Sequence, residues 1–381
     1  MAHGNLDIMK DIDWSILRQS YPITKDRVYL KNASISGLHE QTLAEMNHWN
    51  NHYATMAAVS EDAYFDLLQD SKDTLAHFIG CEREDVTLTE NSSHNMNMLA
   101  MMLGPEKAAG KTKVLVPQDE FPSSLLPFYH HGFEVEFIPC EHGVFKLEEF
   151  EKRIDKFTAA VICSHVQFSC GFKIDPKKLG DLCRQHKVAF FLNTTQSLGT
   201  LPFSLRNTPV TALTSSCHKW LGAGIGQAIL YIDPLWRKER KFPLVGWCSV
   251  DEPFAMKNEN PHIRSDVSAL QLGSLPFSCI AGVKKAVEIT KGIGVENIQK
   301  RIGELSTLLR RGLEQKGKKP LGLLQENPSG IVTFKVEDAD EFVKQLEEKK
   351  VYVNNRRGMI RVSPHFYNNE EDIETFLKHL P

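Results

Sequence analysis

Between residues 80 and 232 short apolar runs alternate with amphipathic stretches, and this alternation limits the folds open to the chain more than any other feature. The runs are DVTLTE (85–90), TKVLVP (112–117), AAVICSHV (159–166), VAFFLN (188–193), TALTSS (211–216) and GQAILYI (226–232). Each has the length of a strand, and VAFFLN in particular has no polar alternation, the pattern of a strand covered on both faces. Between two of them, DPKKLGDLCRQHK offers Asp175 as an N-cap, Pro176 at the first helical position, and Leu179, Leu182 and Cys183 on one face, which predicts a helix. The order predicts an α/β domain with a mainly parallel sheet. Ligands of such sheets bind beyond the carboxyl ends of the strands. VAFFLN ends there on Asn193, followed by Thr194, Thr195 and Gln196.

After residue 232 the pattern changes. Residues 233–267 are rich in Pro, Trp and polar residues and read as a long ordered loop. A long helix follows, with Val295, Ile298, Ile302, Leu305 and Leu309 spaced to form one buried face. GIVTFKV, a helix near 338–349, VYVNN, GMIRVSP and a last helix from about 370 complete a smaller α+β unit. There is no internal repeat and no low-complexity segment.

A net charge of −3 gives no reason to expect nucleic acid or an acidic membrane as a partner. The start, MAHGNLDIMKDIDW, lacks the sections of a secretory signal, and no run of about 18 apolar residues could span a bilayer, so a cytoplasmic protein is expected. The eight cysteines, at 81, 140, 163, 170, 183, 217, 248 and 279, contain no C-x-x-C pair and no histidine partner at zinc spacing. Reduced, mostly buried thiols and no metal are expected.

Three segments carry candidate chemistry. SSCHKWLGAGIGQAILYI puts Lys219 just beyond an apolar strand, preceded by Ser215, Ser216 and His218 and followed by glycines at 222, 224 and 226. Desolvation at such a strand end disfavours the ammonium and makes a free amine available for a Schiff base, although a lone lysine in a turn is more often simply exposed. In TLTENSSHNMNMLAMML, Ser92 and Ser93 stand where a helix begins, a place suited to a phosphate and equally to ordinary capping. In LVPQDEFPSSLLP, Phe121 lies just past a strand end, where a ring can cover a flat ligand or join the core. His94 is a first-turn residue with the titration range of an acid or base, and His130 and His131 read as a helix end. GAGIG imitates a nucleotide-binding glycine run, but a strand follows it where a dinucleotide site needs a helix.

Together these segments resemble the class V aminotransferase and cysteine desulfurase family, pyridoxal-phosphate (PLP) enzymes of fold type I. The resemblance runs from VYLKNAS near residue 28 to IRVSPHFYN near 360. It implies a large PLP-binding domain with a mainly parallel sheet over 26–267, a small α+β domain over 268–381, and an arm, 1–25, packing with the small domain. By the same resemblance Lys219 is the Schiff-base lysine and the proton shuttle at Cα. Ser92, Ser93, Ser216 and His218 hold the phosphate, Phe121 stacks on the pyridine ring, and Gln196 contacts the phenolic oxygen. Gly273 and Ser274 in ALQLGS match a segment that reaches the neighbouring subunit's phosphate, which implies a homodimer with shared active sites. Arg361 matches the arginine that clamps a substrate carboxylate. EFPS, and Gln167 with Phe168 in SHVQFSCGFKID, are closest to the isopenicillin N epimerase-like branch, and Gln167 with Phe168 also to the kynureninase-like one. The strand of SHVQFSCGFKID keeps Gly171. Lys31 stands where aspartate or asparagine is common.

Asn193 departs from the family, which has aspartate there to keep the pyridine nitrogen protonated so that the ring drains electrons from Cα. An opposite charge so placed raises a nitrogen's pKa by roughly 1 to 3 units. Asparagine supplies no charge and can instead donate to an unprotonated nitrogen. The expected function is therefore PLP-dependent chemistry at Cα of an amino acid, most like a class V aminotransferase. Epimerase or C–S/C–N lyase chemistry, or PLP binding with reduced catalysis, are the alternatives. Residues 280–381 hold no cysteine, which argues against the persulfide mechanism of a typical cysteine desulfurase.

Overall fold

A computed structural model describes residues 12–380. In chain order its strands are β1 (Val28–Tyr29), β2 (Val86–Thr89), β3 (Lys113–Pro117), β4 (Glu134–Ile138), β5 (Thr158–Ser164), β6 (Ala189–Asn193), β7 (Ala212–Ser216), β8 (Ala228–Ile232), β9 (Val332–Lys335), β10 (Val351–Tyr352), β11 (Asn354–Arg356) and β12 (Met359–Val362). Seven form one sheet in the order β2-β8-β7-β6-β5-β3-β4. Only β8 runs against its neighbours β7 and β2, so the sheet is mixed but mainly parallel, as the sequence predicts.

The absence of polar alternation follows from cover on both faces. In β6, Phe190 and Leu192 enter one apolar cluster with Leu115, Val161 and Leu213. Ala189 and Phe191 enter the opposite one with Val114, Ile162 and Leu230. Burying a side chain such as Phe191 fully contributes roughly 1.5–3 kcal/mol. The helix Pro176–Gln185 forms as predicted, with the Asp175 carboxylate accepting from the amides of Lys177 and Lys178. The strand β4 has no counterpart among the predicted runs. It sits at the sheet edge and reads EVEFI, with Glu134 and Phe137 exposed. An edge strand keeps one polar flank, which erases the signal of a buried run.

The C-terminal unit is built on the order β11-β12-β9, all antiparallel. The long helix Val295–Gln315 lies against it, with Leu305 and Leu309 in its core and Ile298 and Ile302 in a neighbouring cluster. β1 pairs in parallel with β10, and Lys31 bridges Ser363, so the chain near residue 30 is stitched to this unit. The expected arm, 1–25, lies outside the described residues as far as residue 11. Its remainder includes the helix Trp14–Gln19, from which Arg18 pairs with Asp372 at 2.7 Å.

Gly171 marks where the two units touch. It has φ +78°, and a Cβ there would stand 2.3 Å from the Ile331 carbonyl oxygen, so glycine serves both the turn and the close approach. A stack of rings joins the units a second time. Tyr21 lies on Tyr367 (4.1 Å between centroids), Tyr367 on His365 (4.6 Å) and His365 on Trp220 (5.5 Å). Residues 233–267 are ordered by a short helix, Pro234–Arg237, by 3-10 turns, and by the ion pair of Arg237 with Asp85 at 2.7 Å.

Among the described residues no helix is long and apolar enough to cross a membrane. All eight cysteines are free, four of them buried. No group of three or more potential metal ligands occurs among the described residues.

Candidate active site

Five strands deliver polar or aromatic residues within four positions of their carboxyl ends: Ser92 after β2, Phe121 after β3, Ser164 on β5, Asn193 on β6 and Ser216 on β7. These residues line one cleft of about 410 Å³, together with Gln196, His218, Lys219 and, from the C-terminal unit, Arg361. Parallel neighbours must end on the same side of the sheet, so the registers Ser164 to Asn193 and Asn193 to Thr214 place them together.

The helix Ser92–Met102 starts at the cleft floor, and its cap is Asn91, whose Oδ1 accepts from the His94 amide at 2.8 Å. Capping therefore does not consume the serines. Asn91, Ser92 and Ser93 all line the cleft, where first-turn amides have no intrahelical acceptor. Asn95 anchors this helix start from below, donating to Thr214 Oγ1 at 2.8 Å and to the Ile229 carbonyl. Ser216 Oγ donates to Ser92 Oγ at 3.0 Å, and the Ser216 amide donates to Thr195 Oγ1 at 2.9 Å. Burial, and then the neighbouring Lys219, pull the His218 pKa down to about 4, so its ring is neutral at pH 7. His94 turns away from the cleft and pairs with Glu90.

Lys219 leaves β7 through a turn whose glycines 222, 224 and 226 all take positive φ. Its Nζ stands 5.3 Å from the centroid of the Phe121 ring. Burial first, then Arg361 and Arg356, pull its pKa from 10.5 down to about 7. A large fraction of free amine is therefore present at neutral pH. Phe121 is 40% exposed and packs edge-on against Phe168 at 5.1 Å. The residue that aims it was missed by sequence reasoning. Glu120 is buried, and its carboxylate accepts from the Phe121 and Ser164 amides, from Ser164 Oγ and from Gln167 Nε2. Burial pushes its pKa up while these four donors oppose that shift. The acidic residue directly before the aromatic in QDEFPSS is the signal that was available.

Asn193 is buried at the base of the cleft. Its Oδ1 accepts from the Thr195 amide at 3.0 Å, and its Nδ2 donates to Ser124 Oγ at 3.2 Å. The backbone donor fixes which way the amide points, so the NH2 group keeps one hydrogen for a ligand. Gln196 is also buried. Its Oε1 accepts from Trp220 Nε1 at 2.7 Å, and its Nε2 donates to the Ala33 carbonyl at 3.0 Å.

Arg361 enters from β12 and is 2% exposed. It donates to the Phe168 carbonyl at 3.0 Å and to Ser34 Oγ at 2.7 Å, while its Nε is buried with no partner. Burial, then Arg356, pull its pKa down to about 9, which leaves it charged at neutral pH. Ser274 is not in this cleft. It lines a separate cavity of about 510 Å³ with Trp247, Phe254 and Tyr53.

The sequence model of the family described as aminotransferase class-V matches residues 28–376. The uncharacterized aminotransferase YcbU of Bacillus subtilis (strain 168) is 23% identical, over 93% of this chain and 94% of that protein. A probable cysteine desulfurase of Pyrococcus abyssi (strain GE5 / Orsay) is 24% identical, over 95% of both. Among solved structures, a mutant of C-DES with glycine covalently linked to its PLP cofactor has a TM-score of 0.88 at 20% identity, over 95% of this chain and 98% of that one. These likenesses do not single out an epimerase branch, and the cysteine desulfurase among them gives no support to excluding that activity.

Proposed function

Since the chain belongs to the class V aminotransferase family, we propose that it is a PLP-dependent enzyme acting at Cα of an amino acid, with Lys219 as the covalent base. The observation that carries this reading is the Lys219 amine, held near neutrality over Phe121 and beside Arg361. The residues fit the cofactor. The helix start with Ser92, Ser93 and Ser216 suits a phosphate, the Phe121 face suits a flat ring, and the Asn193 NH2 suits a ring nitrogen. The neutral His218 would serve the phosphate as a hydrogen-bond donor rather than as a cation. PLP, when bound, supplies an aldehyde carbon for the amine and a ring that spreads the electron pair left at Cα.

The chain's own residues supply the rest. Arg361 holds the substrate carboxylate by its guanidinium fork, with the orphaned Nε as a donor already desolvated. The Lys219 amine takes the proton from Cα and returns it, a step suited to a base near the working pH. The Asn193 NH2 would hold the ring nitrogen of PLP without adding a charge, a weaker support for electron withdrawal than an aspartate would give. That weaker pull is compatible with epimerisation or C–S/C–N lyase chemistry, which form the second reading. Desulfuration through a persulfide on this chain is outside our reading, because no cysteine lines the cleft.

Gly273 and Ser274 lie in a separate cavity, so this reading also assigns them to a second copy of the chain in a homodimer. Sedimentation showing only a monomer would remove that part. The cofactor is tested by the absorption spectrum with added PLP. A visible band that depends on Lys219 and vanishes in Lys219→Ala supports the reading, and no band in the native protein overturns it.

A further inference from the structure

We propose that the substrate is an amino acid whose side chain ends in a second anionic group, a dicarboxylic amino acid being the simplest member, and that Arg356 at the cleft rim recognises that group. This rests on the reading of Arg361 as the anchor of the α-carboxylate.

The cleft carries three cationic side chains, Lys219, Arg356 and Arg361, and no aspartate or glutamate lines it. The carboxylates just outside are taken. Glu120 is buried under four donors, and Asp119 pairs with Arg357 at 3.2 Å. Among the described residues neither Arg356 nor Arg361 has a carboxylate partner, whereas Arg18, Arg237 and Arg301 all do. Instead both guanidinium groups donate to the same oxygen, Ser34 Oγ, Arg361 at 2.7 Å and Arg356 at 3.0 Å. Ser34 in turn donates to Asn354 Oδ1 at 2.7 Å, which locks the hydroxyl in place. The other bond of Arg356 is a long one, 3.3 Å, to the Asn355 carbonyl.

Two like charges sharing one neutral acceptor repel each other, and the field of Arg356 reaches both Arg361 and Lys219, helping to pull their pKa values down. A site so arranged is complete only with bound anions. The helix start and its serines take a phosphate without the arginines, and an α-carboxylate neutralises Arg361. One cation remains, and it is the exposed one at the rim, where a substrate side chain would emerge. The planar fork matches a carboxylate or sulfonate.

Calorimetric titration of PLP-treated protein with succinate and glutarate, compared with butyrate, reads this directly and needs no turnover. The dicarboxylates are expected to bind at least tenfold more tightly than butyrate. Arg356→Gln should lower dicarboxylate affinity at least tenfold and leave butyrate unchanged, Arg356→Lys should restore part of the loss, and Arg361→Gln should weaken all three. Dicarboxylates binding no better than butyrate, no detectable heat with any of them, or Arg356→Gln weakening butyrate as much as succinate would each overturn the proposal. The last outcome would mean that both arginines grip one carboxylate. The Lys219-dependent band is recorded on the same samples, so loss of the cofactor reading is seen separately from loss of this one.

Discussion

The Thr195 amide donates to Asn193 Oδ1 at 3.0 Å, and this one backbone bond turns the Asn193 side chain so that its nitrogen, and not its oxygen, is offered to the cleft. Asn193→Asp keeps the bond to Thr195 but replaces a donor by a buried negative charge. With PLP bound, the pH response of the visible band should change, because a carboxylate here would raise the ring-nitrogen pKa by roughly 1 to 3 units and keep that nitrogen protonated. Without PLP the same variant should be less stable by roughly 1–3 kcal/mol in urea unfolding, since a carboxylate is desolvated at a buried position and Ser124 Oγ loses its Asn193 donor. An unchanged spectrum would show that the ring nitrogen does not meet this position.

Lys219 should react with acylating reagents as a near-neutral amine. In cofactor-free protein its labelling rate, followed by peptide mass spectrometry, should reach half its plateau near pH 7, where an ordinary lysine would do so near 10.5. A lysine pKa depressed by cations rises when one is removed, so Arg361→Gln should move the midpoint upward. A native midpoint near 10 would contradict the desolvated site.

These two predictions rest on residues of very different legibility. Lys219, Asn193 and Ser92 are readable because each stands at or just beyond the end of a strand-length run, and a parallel sheet brings the ends of such runs together. Arg361 was placed through family likeness, since nothing in IRVSP shows that β12 will face β6 and β7. Glu120 and Arg356 were not read as site residues. A glutamate beside a phenylalanine looks like an exposed turn until its four donors are seen, and Arg356 sits in NNRRG as one of two adjacent arginines. Two-residue pairings such as β1 with β10, 323 positions apart along the chain (Val28 with Val351), leave no periodic trace. Ser274 lies outside the cleft, in the separate cavity with Trp247 and Phe254, and nothing in ALQLGS shows that placement.

Glu120 should be structural as well as orienting. Glu120→Ala leaves four donors without an acceptor in a buried place, a loss on the order of 3 kcal/mol in denaturant unfolding. Glu120→Gln keeps the shape but points an NH2 at some of those donors, so it should lie between Ala and native. Equal stability of all three would mean that Glu120 does not organise this end of β3.

Gly171→Ala combines an unfavourable φ with a collision against the Ile331 carbonyl, whereas Gly110→Ala meets φ +84° with open space around it. The second should cost about 1 kcal/mol from the backbone alone. The first should cost clearly more, and the difference in melting temperature isolates the contact between the two units. Equal effects would mean that the loop at 171 yields without strain.

The stacked rings of Tyr21, Tyr367, His365 and Trp220 end on Gln196, through the Trp220 indole hydrogen bond. Mechanically they form a strut between the small unit and the floor of the cleft. A swing of the small unit toward the sheet would shear the column, so it would have to break the stacking that ties the piece carrying Arg361 to Gln196. The column thus couples the position of Arg361 to that of the cleft floor, while Ile35 and Arg356 at the rim stand exposed and outside it.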